Sequence, residues 1–144
     1  MAVTLTLSNE FKFEKGKGTV DFSSDSFKII LMESGFVFDP DADGTYADIS
    51  AEEITSVGGY TVGGYALSTT TAWNQGNANN RAYIEWTDKV FTASGAALDT
   101  FCAAIIYDDD HASDVIVGCI EFGTDVNVPD AASFTTIDMA YQDD

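Results

Sequence analysis

DTFCAAIIYDDDHASDVIVGCIEFG, residues Asp99–Gly123, sets two apolar runs around a polar turn. The runs are Phe101–Tyr107 and Val115–Phe122, and the turn is Asp108–Asp114. Ile, Val, Phe and Tyr fill the runs, and side chains of this kind suit a pleated, packed surface. Asp dominates the turn, where its carboxylate bonds nearby backbone and tolerates tight conformations. The stretch therefore reads as a β-hairpin at the centre of an all-β domain.

Further strands follow on either side. FKIILM (Phe27–Met32) has the same composition, and Tyr65–Thr71, Ala82–Thr87, Lys89–Phe91 and Phe134–Met139 also read as strands. Ala2–Leu7 alternates apolar with small or polar residues and reads as an edge strand. Ser8 or Asn9 is placed to cap a short helix through Phe11 and Phe13, stopped by Gly16 and Gly18, with a strand as the competing reading. Ser50-Ala-Glu-Glu53 has the capping-box pattern and predicts one or two helical turns over Ser50–Ser56. NQGNANN (Asn74–Asn80) reads as a polar loop. Strands recurring at about ten residues point to an antiparallel sandwich or a barrel. No repeat and no linker interrupts residues 1–144, so one domain is expected. Phe27–Met32, Ile84, Trp86, Ile105, Ile106, Ile116, Val117 and Ile120 are its expected core.

With 45% hydrophobic residues in 144, the chain can bury a core without metal or disulfide staples. No apolar run is long enough to span a membrane as a helix. No basic segment followed by an apolar stretch opens the chain, so synthesis in the cytoplasm is expected, with Cys102 and Cys119 reduced and buried. Net charge is −18, from 24 acidic and 6 basic residues. Its distribution is uneven. Lys12, Lys15, Lys17 and Lys28 balance Glu10, Glu14, Asp21 and Asp25, so the rest of the chain carries the whole excess. Such a surface repels nucleic acid and anionic membranes, which excludes both as partners.

Candidate chemistry is sparse. Asp39-Pro-Asp41-Ala-Asp43-Gly44 copies the opening of a calcium loop, but the closing position that requires a bidentate Glu is Ser50. Asp39, Asp41 and Asp43 remain as calcium candidates against the reading of a solvated acidic turn. Asp108–His111 reads as an exposed hairpin tip, since a lone His brings no second imidazole. His111 is the sole histidine, and no nucleophile elbow or phosphate-binding loop is present. Glu85 beside Trp86 hints at glycoside chemistry. Strand alternation accounts for it more simply, with Tyr83 and Glu85 on one face and Ile84 and Trp86 on the other. Tyr60, Tyr65, Trp73 and Trp86 could stack on sugars, although aromatics of a sandwich are more often core. No enzyme and no cofactor is expected.

FKIILMESGFVFDPDADGTYADIS from Phe27, VGGYTVGGYAL from Val57, RAYIEWTDKVFTASG from Arg81 and AAIIYDDDHASDVIVGCIEFG from Ala103 follow one another in this order. In that order they resemble a family of small tailed-bacteriophage virion structural proteins, most like capsid cement or decoration proteins. The resemblance implies a jelly-roll-like β-sandwich that binds the outer capsid shell over joints between major capsid proteins. Its implied partners are the major capsid protein and copies of itself, as a homo-oligomer on the particle. A tail or head–tail component and a carbohydrate-binding module are the alternatives. The neutral N-terminal segment, with Lys12, Lys15 and Lys17 beside Phe11 and Phe13, is the expected docking surface.

Overall fold

The computed structural model describes residues 5–136 and 139–143. The hairpin forms as expected: β7 (Phe101–Asp108) pairs antiparallel with β8 (Ile116–Val126), with Ile105 opposite Cys119 and Ile106 opposite Gly118. β7 also pairs with β2 (Phe27–Glu33), placing Ile29 opposite Ile106. β1 (Thr6–Leu7) and β3 (Tyr65–Ala66) close the two edges, giving a five-stranded sheet in the order β1-β8-β7-β2-β3. A second sheet takes the order β10-β5-β4, from β4 (Thr69–Gly76), β5 (Arg81–Trp86) and β10 (Ala140–Asp143). A two-stranded ribbon joins β6 (Val90–Thr92) to β9 (Ser133–Thr135). The architecture is an antiparallel sandwich, and this pairing does not establish the jelly-roll connectivity implied by the resemblance.

The continuous apolar runs of β2, β7 and β8 have a direct cause, since strands covered on both faces cannot alternate with polar residues. On the inner face, Phe27, Ile29 and Leu31 of β2 join Ala104, Ile106, Val117 and Ile120 in a cluster with Ile84, Trp86 and Tyr141 of the second sheet. On the outer face, Ile30, Met32, Ala103, Ile105, Ile116 and Cys119 pack beneath Phe36, Phe38 and Ile49. Those last three come from the long connection after β2. Every apolar member of the expected core is buried. The alternation of β5 holds too, with Ile84 and Trp86 buried and Tyr83 and Glu85 half-buried.

α1 (Asn9–Lys17) is the helix alternative of the N-terminal reading. The Ser8 hydroxyl accepts the Phe11 N–H at 3.0 Å and donates to the Ile116 carbonyl, so one residue caps the helix and ties it to β8. Gly18 ends it in the left-handed region at φ 77°, where a side chain would be strained. The second helix departs from expectation. α2 (Tyr46–Ile49) starts before Ser50, followed by a single 3₁₀ turn at Ser50–Glu52. The Asp48 carboxylate accepts both the Thr45 N–H and hydroxyl at 2.8 Å, so Thr45 takes the capping role ahead of Ser50. The Asn74–Asn80 loop is shorter than expected as well, because β4 runs on through Gly76 to pair with Arg81. The expected strand Phe134–Met139 resolves into β9 and the approach to β10, with residues 137 and 138 outside the described set. The same holds for the first residues of Ala2–Leu7.

Candidate functional site

α1 bridges the two sheets at one flank of the sandwich. Phe11 is fully buried, edge-on to Phe22 and Tyr141 at 5.8 and 5.3 Å between ring centroids. It therefore closes the core and is not available as a docking contact, which corrects its assignment from sequence. Helical geometry explains this: Phe11 and Phe13 are two residues apart and cannot share a face. Phe13 takes the outward side and is 61% exposed, with the Lys17 ammonium 5.0 Å from its ring centre.

The lysines divide as well. Lys15 is half-buried, ion-paired with Asp143 and 5.4 Å from the ring centre of Tyr141. Lys17 pairs with Glu14 at 2.8 Å. Lys12 is exposed and, among the described residues, donates to the Asn9 side-chain oxygen at 3.4 Å. Glu14 is the electrostatic hub of the corner. The Lys17 ammonium first, and the Thr19 hydroxyl next, lower its pKa to about 2. His111 Nε2 lies 3.4 Å from its carboxylate. Between α1 and β10 runs a cleft of about 440 Å³ lined by Leu7, Phe11, Lys12, Lys15, Gly16, Tyr141 and Asp143.

The acidic turn is fastened to the same helix. Asp39 accepts the Asp41 N–H at 3.0 Å, Asp43 accepts the Asp39 N–H at 2.8 Å, and Asp41 accepts from the Asn9 side-chain amide. The Asn9 N–H donates to the Pro40 carbonyl at 2.9 Å. The three carboxylates thus shape the turn and hold the helix start. Among the described residues no group of three His, Cys, Asp or Glu is arranged to hold a metal ion.

The hairpin turn is exposed at its tip, as its composition implies, and buried at its base. Asp109 and Asp110 are exposed, but Asp108 is fully buried and His111 half-buried. One Asp108 oxygen accepts the Asp110 and His111 N–H groups at 3.0 and 3.1 Å. The other is buried without a hydrogen-bond partner. Burial, and then the facing Asp25 carboxyl, push the Asp108 pKa up to about 7. Lys28 pairs with Asp109 at 2.9 Å, and the Ser26 N–H donates to Asp110 at 2.6 Å, so the turn before β2 is stitched to this one. His111 Nδ1 accepts the Ser113 N–H at 3.1 Å while Nε2 faces Glu14, so neither nitrogen addresses a serine hydroxyl in the manner of a triad.

Sequence reasoning missed one cluster altogether. Glu53, almost fully buried, accepts the hydroxyls of Tyr46 and Tyr60, each at 2.6 Å, and the Gly63 N–H at 2.9 Å. Tyr60 oxygen in turn accepts the Leu31 N–H at 3.1 Å, and the Ile54 N–H donates to the Leu31 carbonyl at 3.0 Å. β3 pairs with β2 only at Lys28 and Ile29, so this cluster satisfies the β2 edge beyond it. Burial first, then the Glu53 carboxylate, push the Tyr46 and Tyr60 hydroxyls far above the usual phenol range. The signal available in sequence was Tyr46, Glu53 and Tyr60 at intervals of seven, but their meeting depends on a loop path.

The remaining singled-out residues lie in or against the core. Tyr60 and Trp86 are buried, and Tyr65 and Trp73 pack partly buried against the same cluster. Trp73 stacks on Phe22 at 5.1 Å. Both cysteines are free, and Cys119 is buried, with its thiol pKa raised mainly by that burial. Cys102 differs from expectation. It is half-buried, and its thiol donates to the Glu33 carbonyl at 3.2 Å.

No family model, curated protein or solved structure matches the chain.

Proposed function

We propose that this protein is a non-enzymatic virion structural protein that binds the outer capsid shell and cements or decorates joints between major capsid proteins. The resemblance of four ordered sequence stretches supports the class. The structural observation that carries the docking part is Lys12 and Phe13, both exposed on one helix of a strongly acidic body. An exposed aromatic next to a cation is the kind of anchor that small interfaces concentrate their energy in. Acidic surroundings favour orientation of this corner, over any other, toward an acidic patch on a shell. Many such weak contacts repeated by symmetry hold a decoration protein through avidity.

The burial of Phe11 determines the test. Deleting the N-terminal segment would remove a core residue, so surface substitutions are required. Lys12→Glu combined with Phe13→Ala leaves the core intact. Added to purified particles that lack the protein, it should bind with much lower occupancy than the native chain. Unchanged occupancy refutes the docking corner. Quantitative electrophoresis of complete particles checks the class: a cement protein is present in copy number comparable to the major capsid protein, whereas a tail or head–tail component is present in few copies.

A further inference from the structure

The turn before β2 and the hairpin turn lie against each other as a clasp. The Asp109 N–H donates to the Ser26 carbonyl at 2.9 Å, the Ser26 N–H donates to Asp110 at 2.6 Å, and Lys28 pairs with Asp109 at 2.9 Å. His111 extends the clasp to Glu14 of α1. The turn before β2 also carries Phe22, whose ring fills the seam between the sheets. Its centroid lies 5.0 Å from that of Phe27, 5.1 Å from Trp73 and 4.8 Å from Tyr141.

Inside the clasp two acids meet. Asp108 is fully buried, and among the described residues its Oδ2 has no hydrogen-bond partner. The Asp25 carboxyl lies within hydrogen-bonding reach of the Asp108 side chain. Asp25 already accepts the Asp21 N–H at 2.6 Å and the Ser24 hydroxyl at 3.2 Å. The charged groups around the pair are engaged with other residues. Lys28 of β2 is on Asp109, Glu14 of α1 on Lys17, Asp110 on the Ser26 N–H, and Asp21 accepts the Ser23 N–H at 2.8 Å. A buried carboxylate oxygen without a donor is destabilising, and two carboxylates in one site repel. One proton on Asp108 removes both penalties, because its O–H then donates to Asp25.

We propose that a single proton, shared between Asp108 and Asp25, closes this clasp, and that its loss to solvent loosens the turn that holds Phe22 in the seam. Burial, and then the facing Asp25 carboxyl, set the change near pH 7. In an opened clasp Asp108 regains an ordinary carboxylate pKa of about 4. Closure is therefore strongest below that value and weakens as pH rises to about 7.

Amide hydrogen exchange of the native chain tests this, read at Ser26 and Asp109 and corrected for intrinsic rates. Protection at both should fall roughly tenfold per pH unit between about pH 5 and pH 7, the slope of one proton, and then level off. Asp25→Asn separates a shared proton from burial alone. Its side-chain N–H can donate to the Asp108 carboxylate at any pH, so protection should stay constant over the same range. If Asp25→Asn fails to fold, the carboxyl carbon NMR signals of the native chain take its place, and those of Asp25 and Asp108 should move in one titration. A flat protection profile in the native chain overturns the proposal. So does an unchanged slope in folded Asp25→Asn, or an Asp108 signal that titrates while that of Asp25 stays still. Protection restored above neutral pH by millimolar calcium would assign the pair to a cation and overturn it as well.

Discussion

Glu53→Ala removes the acceptor at the centre of the cluster that closes the β2 edge. The buried Tyr60 hydroxyl loses its partner, and so do two part-buried donors, the Gly63 N–H and the Tyr46 hydroxyl. Each buried donor left unsatisfied costs about 1–3 kcal/mol, so the expected loss is roughly 3 kcal/mol. For a domain of this size each kcal/mol moves the Tm by about 2–4 °C, which predicts a fall of roughly 6–12 °C. Urea denaturation should show a lower midpoint with an unchanged slope, because the surface exposed on unfolding stays the same. Tyr60→Phe removes one of the same bonds and the acceptor of the Leu31 N–H. The double variant should therefore lose clearly less than the sum of the single losses. In native-state hydrogen exchange the Leu31 amide should become less protected in both single variants. A loss below about 1 kcal/mol for Glu53→Ala, or strictly additive losses, would refute the claim that Glu53 closes this edge.

Phe11→Ala should destabilise the domain by about 3–5 kcal/mol through the cavity left between Phe22 and Tyr141, whereas Phe13→Ala should change stability by less than about 0.5 kcal/mol; equal effects in thermal melts would contradict the division of α1 into a buried and an exposed face. Asp108→Asn is a test of pH dependence. The raised Asp108 pKa means that the folded state holds a proton the unfolded state has lost, so this group's contribution is full below the unfolded pKa near 4 and is lost as pH rises to about 7. Glu14, Asp21 and Asp48 are shifted the other way, so they add stability that is lost only as pH falls through the acid range, outside this window. Relative to the native chain, the Asn variant should gain stability between pH 5 and pH 8, read as the difference in urea midpoints. A pH-independent difference would show that Asp108 does not titrate there.

The all-β class, the central hairpin and the apolar core were legible in sequence, because a strand buried on both faces must be written as an unbroken apolar run. Phe27–Met32, Phe101–Tyr107 and Val115–Phe122 are such runs, and local composition decides them. Sequence alone also determined the charge: a neutral N-terminal segment on an otherwise acidic chain. Which side of α1 faces inward was not decided by those means. Phe11 and Phe13 have equal hydrophobicity, and only the position of Tyr141, far along the chain, makes one core and the other surface. The same is true of Asp108, buried because the turn before β2 folds over it, and of Glu53, whose donors come from two separate stretches. These placements depend on contacts between residues distant in sequence, and neither composition nor local spacing carries the path of the chain that brings them together.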